Sequence, residues 1–219
     1  VPHPTFFHPR DAMDIRTWQE HVSTAPRKHL VSFAGQPRPN QPESIRTHLI
    51  NQCTNASSAF SSSLCYFLHC TDHHNCFRPE ITMDLFIHSE FCLQPPGDSP
   101  TRRSIFESLI GGCIPVLFDP YSAYYQYPWH LPEDPAAYSV YIPANDIRGG
   151  KVNVVEELRK FPKHVREEMR SRIINEIMPG LVYAKADAKL GEVEDAFLVS
   201  LRSLFSKVHE RLHAKFATT

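Results

Sequence analysis

The densest chemistry in the sequence runs through Leu93-Gln94-Pro95-Pro96-Gly97-Asp98-Ser99-Pro100-Thr101-Arg102-Arg103-Ser104-Ile105-Phe106-Glu107. Ser99 before Pro100 predicts a helix start, with serine as N-cap and proline at the first helical position. Such a start offers unpaired backbone N–H groups and the positive end of the helix dipole. Arg102 and Arg103 then fall in the first turn, where the dipole disfavours cations. A bound polyanion reverses that sign. Diphosphate suits the set, with arginine supplying forked donors and Ser99 and Thr101 supplying hydroxyls. Glu107, one turn further on, can accept two hydrogen bonds from a ribose diol, and Arg38 offers a second phosphate contact. The plainer alternative stands beside this one: Arg103 and Glu107, at i, i+4, pair on the surface, the prolines only make a turn, and Arg38 is solvated.

A second cluster is built on cysteine. Cys53, Cys65, Cys70 and Cys76 fall in one polar stretch. An even number of cysteines in a surface loop points to disulfides in an oxidising lumen. The same stretch holds the sequon Asn55-Ala56-Ser57, among small polar residues that read as loop, so Asn55 is a candidate glycosylation site. A zinc site is the competing account, since Cys65, Cys70, His73, His74 and Cys76 are all soft ligands. Their spacing matches no paired ligand pattern, and metal ranks well below disulfides. Cys92 and Cys113 lie in apolar segments, where free cysteine behaves as a small hydrophobe. No Gly-x-Ser-x-Gly elbow, Walker loop, G-x-G-x-x-G or H-E-x-x-H occurs, which weakens hydrolase and kinase readings.

The elements that must hold these residues follow from hydrophobic patterning. His29 to Gly35 is an apolar run predicting a strand, followed by a Pro-rich loop carrying Arg38 and a helical pattern through Ile45, Leu49 and Ile50. A short helix is expected at Met83–His88 and a strand at Glu90–Leu93. The helix after Ser99 runs through Ile105, Leu109 and Ile110 to a stop at Gly111-Gly112. Cys113 to Phe118 is a buried strand, completing a right-handed β-α-β unit. Another strand is expected at Tyr138–Ile142 and a helix near Val152–Phe161. Val165, Met169, Ile173 and Ile177, and then Val193, Phe197, Leu201, Phe205, Val208 and Leu212, form helical stripes expected to face the core. Val1 to Pro26 shows no clear periodicity. Alternation followed by covering helices predicts an α/β fold with a mostly parallel sheet. The loop after Glu90–Leu93 then lies outside the carboxyl ends of strands, where such sheets bind ligands.

Composition bounds the rest. The 219 residues carry 23 Lys+Arg against 24 Asp+Glu, a net charge of −1, and 42% hydrophobic residues. That is enough for a real core, and the balance lacks the footprint of a general nucleic-acid binder. There is no apolar run of roughly 18 residues and no signal peptide pattern. The chain begins at Val1, as a processed product or a piece of a longer protein would.

The stretch Phe91 to Val116, with Val1-Pro2-His3-Pro4-Thr5-Phe6-Phe7-His8-Pro9, Ser32-Phe33-Ala34-Gly35-Gln36-Pro37-Arg38-Pro39 and the cysteine loop, resembles exostosin-like glycosyltransferases (glycosyltransferase family 47). The closest likeness is to the plant branch of xyloglucan galactosyltransferases, and it covers nearly the whole chain. The resemblance implies a Golgi type II membrane enzyme of GT-B fold. Residues 1–28 would be a linker from an N-terminal domain, and 29–215 the Rossmann-like, donor-binding C-terminal half. Arg38, Gly97, Ser99, Thr101, Arg102, Arg103 and Glu107 would line the UDP-sugar site, the diphosphate meeting Ser99 to Arg103 and Glu107 holding the ribose. The family inverts the anomeric centre, and GT-B enzymes usually need no metal, which suits the absence of an Asp-x-Asp motif. The implied donor is UDP-galactose and the acceptor xyloglucan, in the Golgi lumen, with membrane attachment only through an anchor outside these residues and no nucleic acid partner. UDP-galacturonate and UDP-arabinose are the rival donors, and a non-catalytic UDP-sugar-binding or lectin-like module is the rival class. The catalytic base is expected in the N-terminal domain, so none is assigned here. These residues alone are expected to bind UDP and transfer little sugar.

Overall fold

A computed structural model describes residues 1–38, 40–41, 44–59, 63–70, 76 and 78–216. Pro39, His73 and His74, named above, lie outside the described residues. Five parallel strands form one sheet: β1 (His29–Gly35), β2 (Cys65–His69), β3 (Ser89–Gln94), β4 (Ile114–Leu117) and β5 (Val140–Tyr141). Their spatial order is β2-β1-β3-β4-β5. β4 is buried along its whole length, as a strand covered on both faces must be. The expected parallel α/β architecture is present.

The crossovers β1→β2 and β3→β4 run in opposite directions, so right-handed connections place their helices on opposite faces. α2 (Ile45–Ala59) covers one face together with α5 (Ala144–Arg148) and α6 (Val154–Arg159). α3 (Pro79–Ile87) and α4 (Arg103–Ile110) cover the other. α1 (Ala12–Thr24) and α7 (Lys163–Arg172), which runs on into the π-helix Ile173–Ile177, close that side.

Several expectations are corrected. Val1 to Pro26 is no featureless lead-in: α1 buries Ile15 and Val22, Trp18 stacks on Phe7 at 5.0 Å, and Trp18 Nε1 donates to Ile110 O at 3.0 Å. The cysteine stretch is no loop either. Cys53 and Asn55 belong to α2, Cys65 begins β2, and Asn55 is an exposed helical residue. The disulfides expected there form, Cys53 to Cys65 and Cys70 to Cys76, so those thiols are not free to ligate zinc. Cys92 and Cys113, expected to be free hydrophobes, are also disulfide-bonded to each other. They sit side by side because β3 and the residue leading into β4 are neighbours in the sheet, a proximity that spacing alone does not reveal.

Arg27 locks α1 to the sheet. Its guanidinium donates to the carbonyls of Val22 (2.9 Å), Phe86 (3.1 Å), Ser89 (3.3 Å) and Gly111 (3.1 Å), and burial pulls it down to about 10. Beside it the expected Gly111-Gly112 stop is realised. Gly112 has φ +63°, and a Cβ there would stand 2.6 Å from Val22 Cγ1, so both backbone and space require glycine.

α8 (Ala196–Phe216) departs most from expectation. Its first turn is buried through Ala196 and Val199, and His130 Nε2 donates to Ala196 O at 3.0 Å. Most of the stripe expected to face the core is nevertheless open to solvent, with Phe197 at 54% and Phe205 at 67% exposure and Val208 and Leu212 exposed as well, while Val193 packs against the core and Leu201 is half-buried.

Candidate functional site

In the order β2-β1-β3-β4-β5 the connections reverse direction between β1 and β3. That reversal leaves a crevice between the loops at their carboxyl ends, where open α/β sheets bind ligands. A cavity of about 630 Å³ lies there. Its walls come from the loop after β1, the loop after β3, the first turn of α4 and parts of α2 and α3. All seven residues expected to form a site, Arg38, Gly97, Ser99, Thr101, Arg102, Arg103 and Glu107, line this one cavity.

The loop after β3 is built differently from its sequence signature. Ser99 is not the N-cap and Pro100 is not the first helical residue. Instead α4 begins at Arg103, and the cap position is Arg102, in extended conformation with no side-chain cap. Ser99 Oγ donates to Thr101 O at 2.8 Å, and Gly97 N to Ser99 O at 3.0 Å, so the loop folds back on itself. The serine-proline start is outcompeted by this local closure. Thr101 Oγ1 shares a hydrogen bond with Tyr127 OH at 2.9 Å, which fixes the loop's far side. No side chain caps α4; Ile105 N turns back to Arg102 O at 3.2 Å, and the amides ahead of it lie at the uncapped end.

Three guanidiniums converge on the cavity. Arg102 Nη1 donates to Pro95 O at 3.0 Å, and Arg46 Nε to Pro96 O at 3.3 Å. Arg38 reaches Asp98 Oδ1 at 2.5 Å and Gln41 Oε1 at 3.1 Å. Burial, reinforced by the charges of Arg46 and Arg38, pulls Arg102 down to about 10. Burial and Arg38 also lower Arg46. Asp98, whose side chain is almost fully in water, is the carboxylate that answers them. Arg46 and Arg38 act on Arg102 as like charges, and Arg38 acts so on Arg46, an arrangement an anion would relieve.

Arg46 was not among the expected residues. It was detectable, since it stands in the first turn of α2, the same unfavourable place for a cation that singled out Arg102 and Arg103. Arg103 and Glu107 form the i, i+4 pair of the plainer alternative, with Nε and Nη2 both on Glu107 Oε1 at 2.8 and 2.7 Å. The pair is not a plain surface one, because Glu107 is only 7% exposed and faces the cavity. Gly97 leaves room between two arginines: a Cβ there would touch Arg102 Cγ at 3.5 Å and Arg46 Nη2 at 3.6 Å. The described residues contain no group of three or more His, Cys, Asp or Glu able to hold a metal ion.

Residues 1–158 match the exostosin GT47 domain. The chain belongs to the exostosin GT47 family. Three GT47 relatives from Arabidopsis thaliana align along 95% of it. Xyloglucan-specific galacturonosyltransferase 1 is 54% identical over 208 residues, with 30% of its own length covered. Probable xyloglucan galactosyltransferase GT20 is 50% identical over 209 residues, with 36% covered. Xyloglucan galactosyltransferase MUR3 is 43% identical over 209 residues, with 33% covered. The chain thus spans about a third of the length of these curated GT47 relatives.

Proposed function

We propose that this chain is the donor-binding half of an inverting glycosyltransferase that uses a UDP-sugar and acts on xyloglucan in the Golgi lumen. The observation that carries the proposal is the convergence of Arg38, Arg46 and Arg102 at the β1/β3 crevice, above the uncapped start of α4. A diphosphate placed there meets forked donors and backbone N–H groups together, with Thr101 and Ser99 at its edge. Glu107, buried on the same wall, is the proposed acceptor of hydrogen bonds from the ribose diol.

In transfer, the acceptor hydroxyl attacks the anomeric carbon from the face opposite the leaving group, the glycosidic bond to UDP breaks, and negative charge grows on the diphosphate. The arginines stabilise that growing charge without reorganising. Because they supply the neutralising charge, UDP binding is proposed to need no metal.

UDP-galactose is the proposed donor, in keeping with the galactosyltransferases among the relatives. UDP-galacturonate is the second reading, favoured by the 54% identity to a galacturonosyltransferase. The Golgi placement is supported by three disulfides and by the exposed Asn55. Among the described residues no helix is long and apolar enough to cross a membrane.

Thermal unfolding with and without UDP tests the core of this proposal. At a hundredfold excess over Kd, one site adds about 2.7 kcal/mol of stability. The shift is expected to persist in EDTA and to vanish in an Arg102→Ala, Arg103→Ala variant that still unfolds cooperatively. A full shift in that variant would overturn the assignment. Comparing UDP-galactose with UDP-galacturonate then chooses the donor.

A further inference from the structure

Past Arg38 and Gly97, which belong to both, the carboxyl rim of the sheet opens into a second cavity of about 690 Å³. Its outer wall is formed by the segments that follow β4 and β5, and its lining is more mixed than that of the first, with Arg148 donating to Asn145 Oδ1 at 3.1 Å. Asp119, Asn145 and Gln41 supply a carboxylate and two amides, and Tyr141 supplies an aromatic face at the edge. Tyr141 stays 44% exposed, and in the turn after Asp119 Tyr121 and Tyr125 stand 59% and 67% exposed with centroids 5.1 Å apart. Tyr124 braces the patch from behind, 6.1 Å from Tyr141 and hydrogen-bonded through its hydroxyl to Ser139 Oγ at 3.0 Å. Tyr125 and Asp119 lie near enough to Tyr141 to help raise its phenol, after burial itself.

Single exposed apolar residues are ordinary, but a braced group of rings beside a polar cavity is not. Tyrosine gives a rigid apolar face with a polar tip and little entropy to lose on contact. A pyranose chain offers the matching pair of surfaces, C–H faces above and below and hydroxyls around its edge. The rings suit the former, and the carboxylate and amides suit the latter. The patch is also fixed relative to the first cavity: Tyr127, two residues beyond Tyr125, packs on Phe106 at 4.8 Å and holds Thr101 by its hydrogen bond.

We propose that Tyr141, which lines this cavity, and the paired rings of Tyr121 and Tyr125 in the turn after Asp119 form a stacking surface for a neutral glucan chain, the acceptor that receives the glycosyl group. The acceptor role rests on the donor reading of the adjoining cavity. The stacking chemistry does not.

Calorimetric titration of the protein with xyloglucan oligosaccharides tests it, alongside the UDP-induced thermal shift. The Tyr121→Ala, Tyr125→Ala variant should weaken oligosaccharide binding about tenfold and leave the UDP shift unchanged. The Tyr121→Phe, Tyr125→Phe variant, which keeps the faces, should bind nearly as well as the parent. No oligosaccharide binding by the parent, or equal binding by the alanine variant, would overturn the proposal. Ring-dependent oligosaccharide binding without any UDP shift would support the stacking surface and overturn the donor reading alone.

Discussion

Arg102, brought down to about 10 by burial and by its neighbours, gives the candidate site its character, because a cation held under repulsion is poised for an anion. Arg46 extends the argument to a residue that was not anticipated. It is buried, donates to Pro96 O, and shares the cavity with Arg102. Replacing it by alanine removes a charge-assisted hydrogen-bond donor worth about 1.5–3 kcal/mol, so UDP binding should weaken by about 10- to 100-fold. Isothermal titration measures this directly, and an affinity within about twofold of the parent would place Arg46 outside the site. The seven expected residues were legible because six of them share the Gly97–Glu107 stretch and Arg38 follows the strand next to it. Arg46 stands in the first turn of α2, far in sequence from Gly97–Glu107, and meets that stretch only once the sheet has formed, which spacing does not reveal. The side chain of Ser99 was misjudged because it bonds within its own loop.

At the scale of elements, buried runs such as β1, β3 and β4 and the start of α2 at Ile45, Leu49 and Ile50 were plain in the sequence, while the second half of α2 and all of β2 were hidden by composition. α2 carries Asn51, Thr54, Asn55, Ser57 and Ser58, poor helix formers in isolation, and is held in place by Leu49 and Cys53 against the sheet. β2 is an edge strand with only Cys65 fully buried, so it lacks the apolar run that marks β4. The Cys92 to Cys113 bridge escaped notice for a related reason: its two ends meet only once β3 and β4 have paired. It closes a loop spanning 21 residues that contains the Arg102 loop and all of α4. A Cys92→Ala, Cys113→Ala variant should lose about 2–5 kcal/mol of stability in chemical denaturation, beyond any loss of UDP binding. Loss of less than about 1 kcal/mol would mean that the bridge adds little to the packed β-α-β unit.

For the whole molecule, strand-helix alternation was enough to anticipate a parallel sheet, and the β1/β3 reversal explains why two distant loops share a cavity. Periodicity could not say what α8 packs against. A stripe at helical spacing shows that a helix has an apolar side, and only the fold shows whether anything covers it. The anchored first turn and the uncovered remainder give this helix two different lifetimes. Amides near Ala196 and Val199 should share the slow deuterium exchange of the sheet, while those beyond Leu204 open without the rest of the molecule and exchange early. Brief trypsin treatment should therefore cut first at Lys207 or Arg211, with the nicked protein keeping its UDP-induced shift. Equal protection along all of α8 would show that its apolar side is sheltered in solution, and the helix end would then be a durable part of the protein rather than its first point of wear.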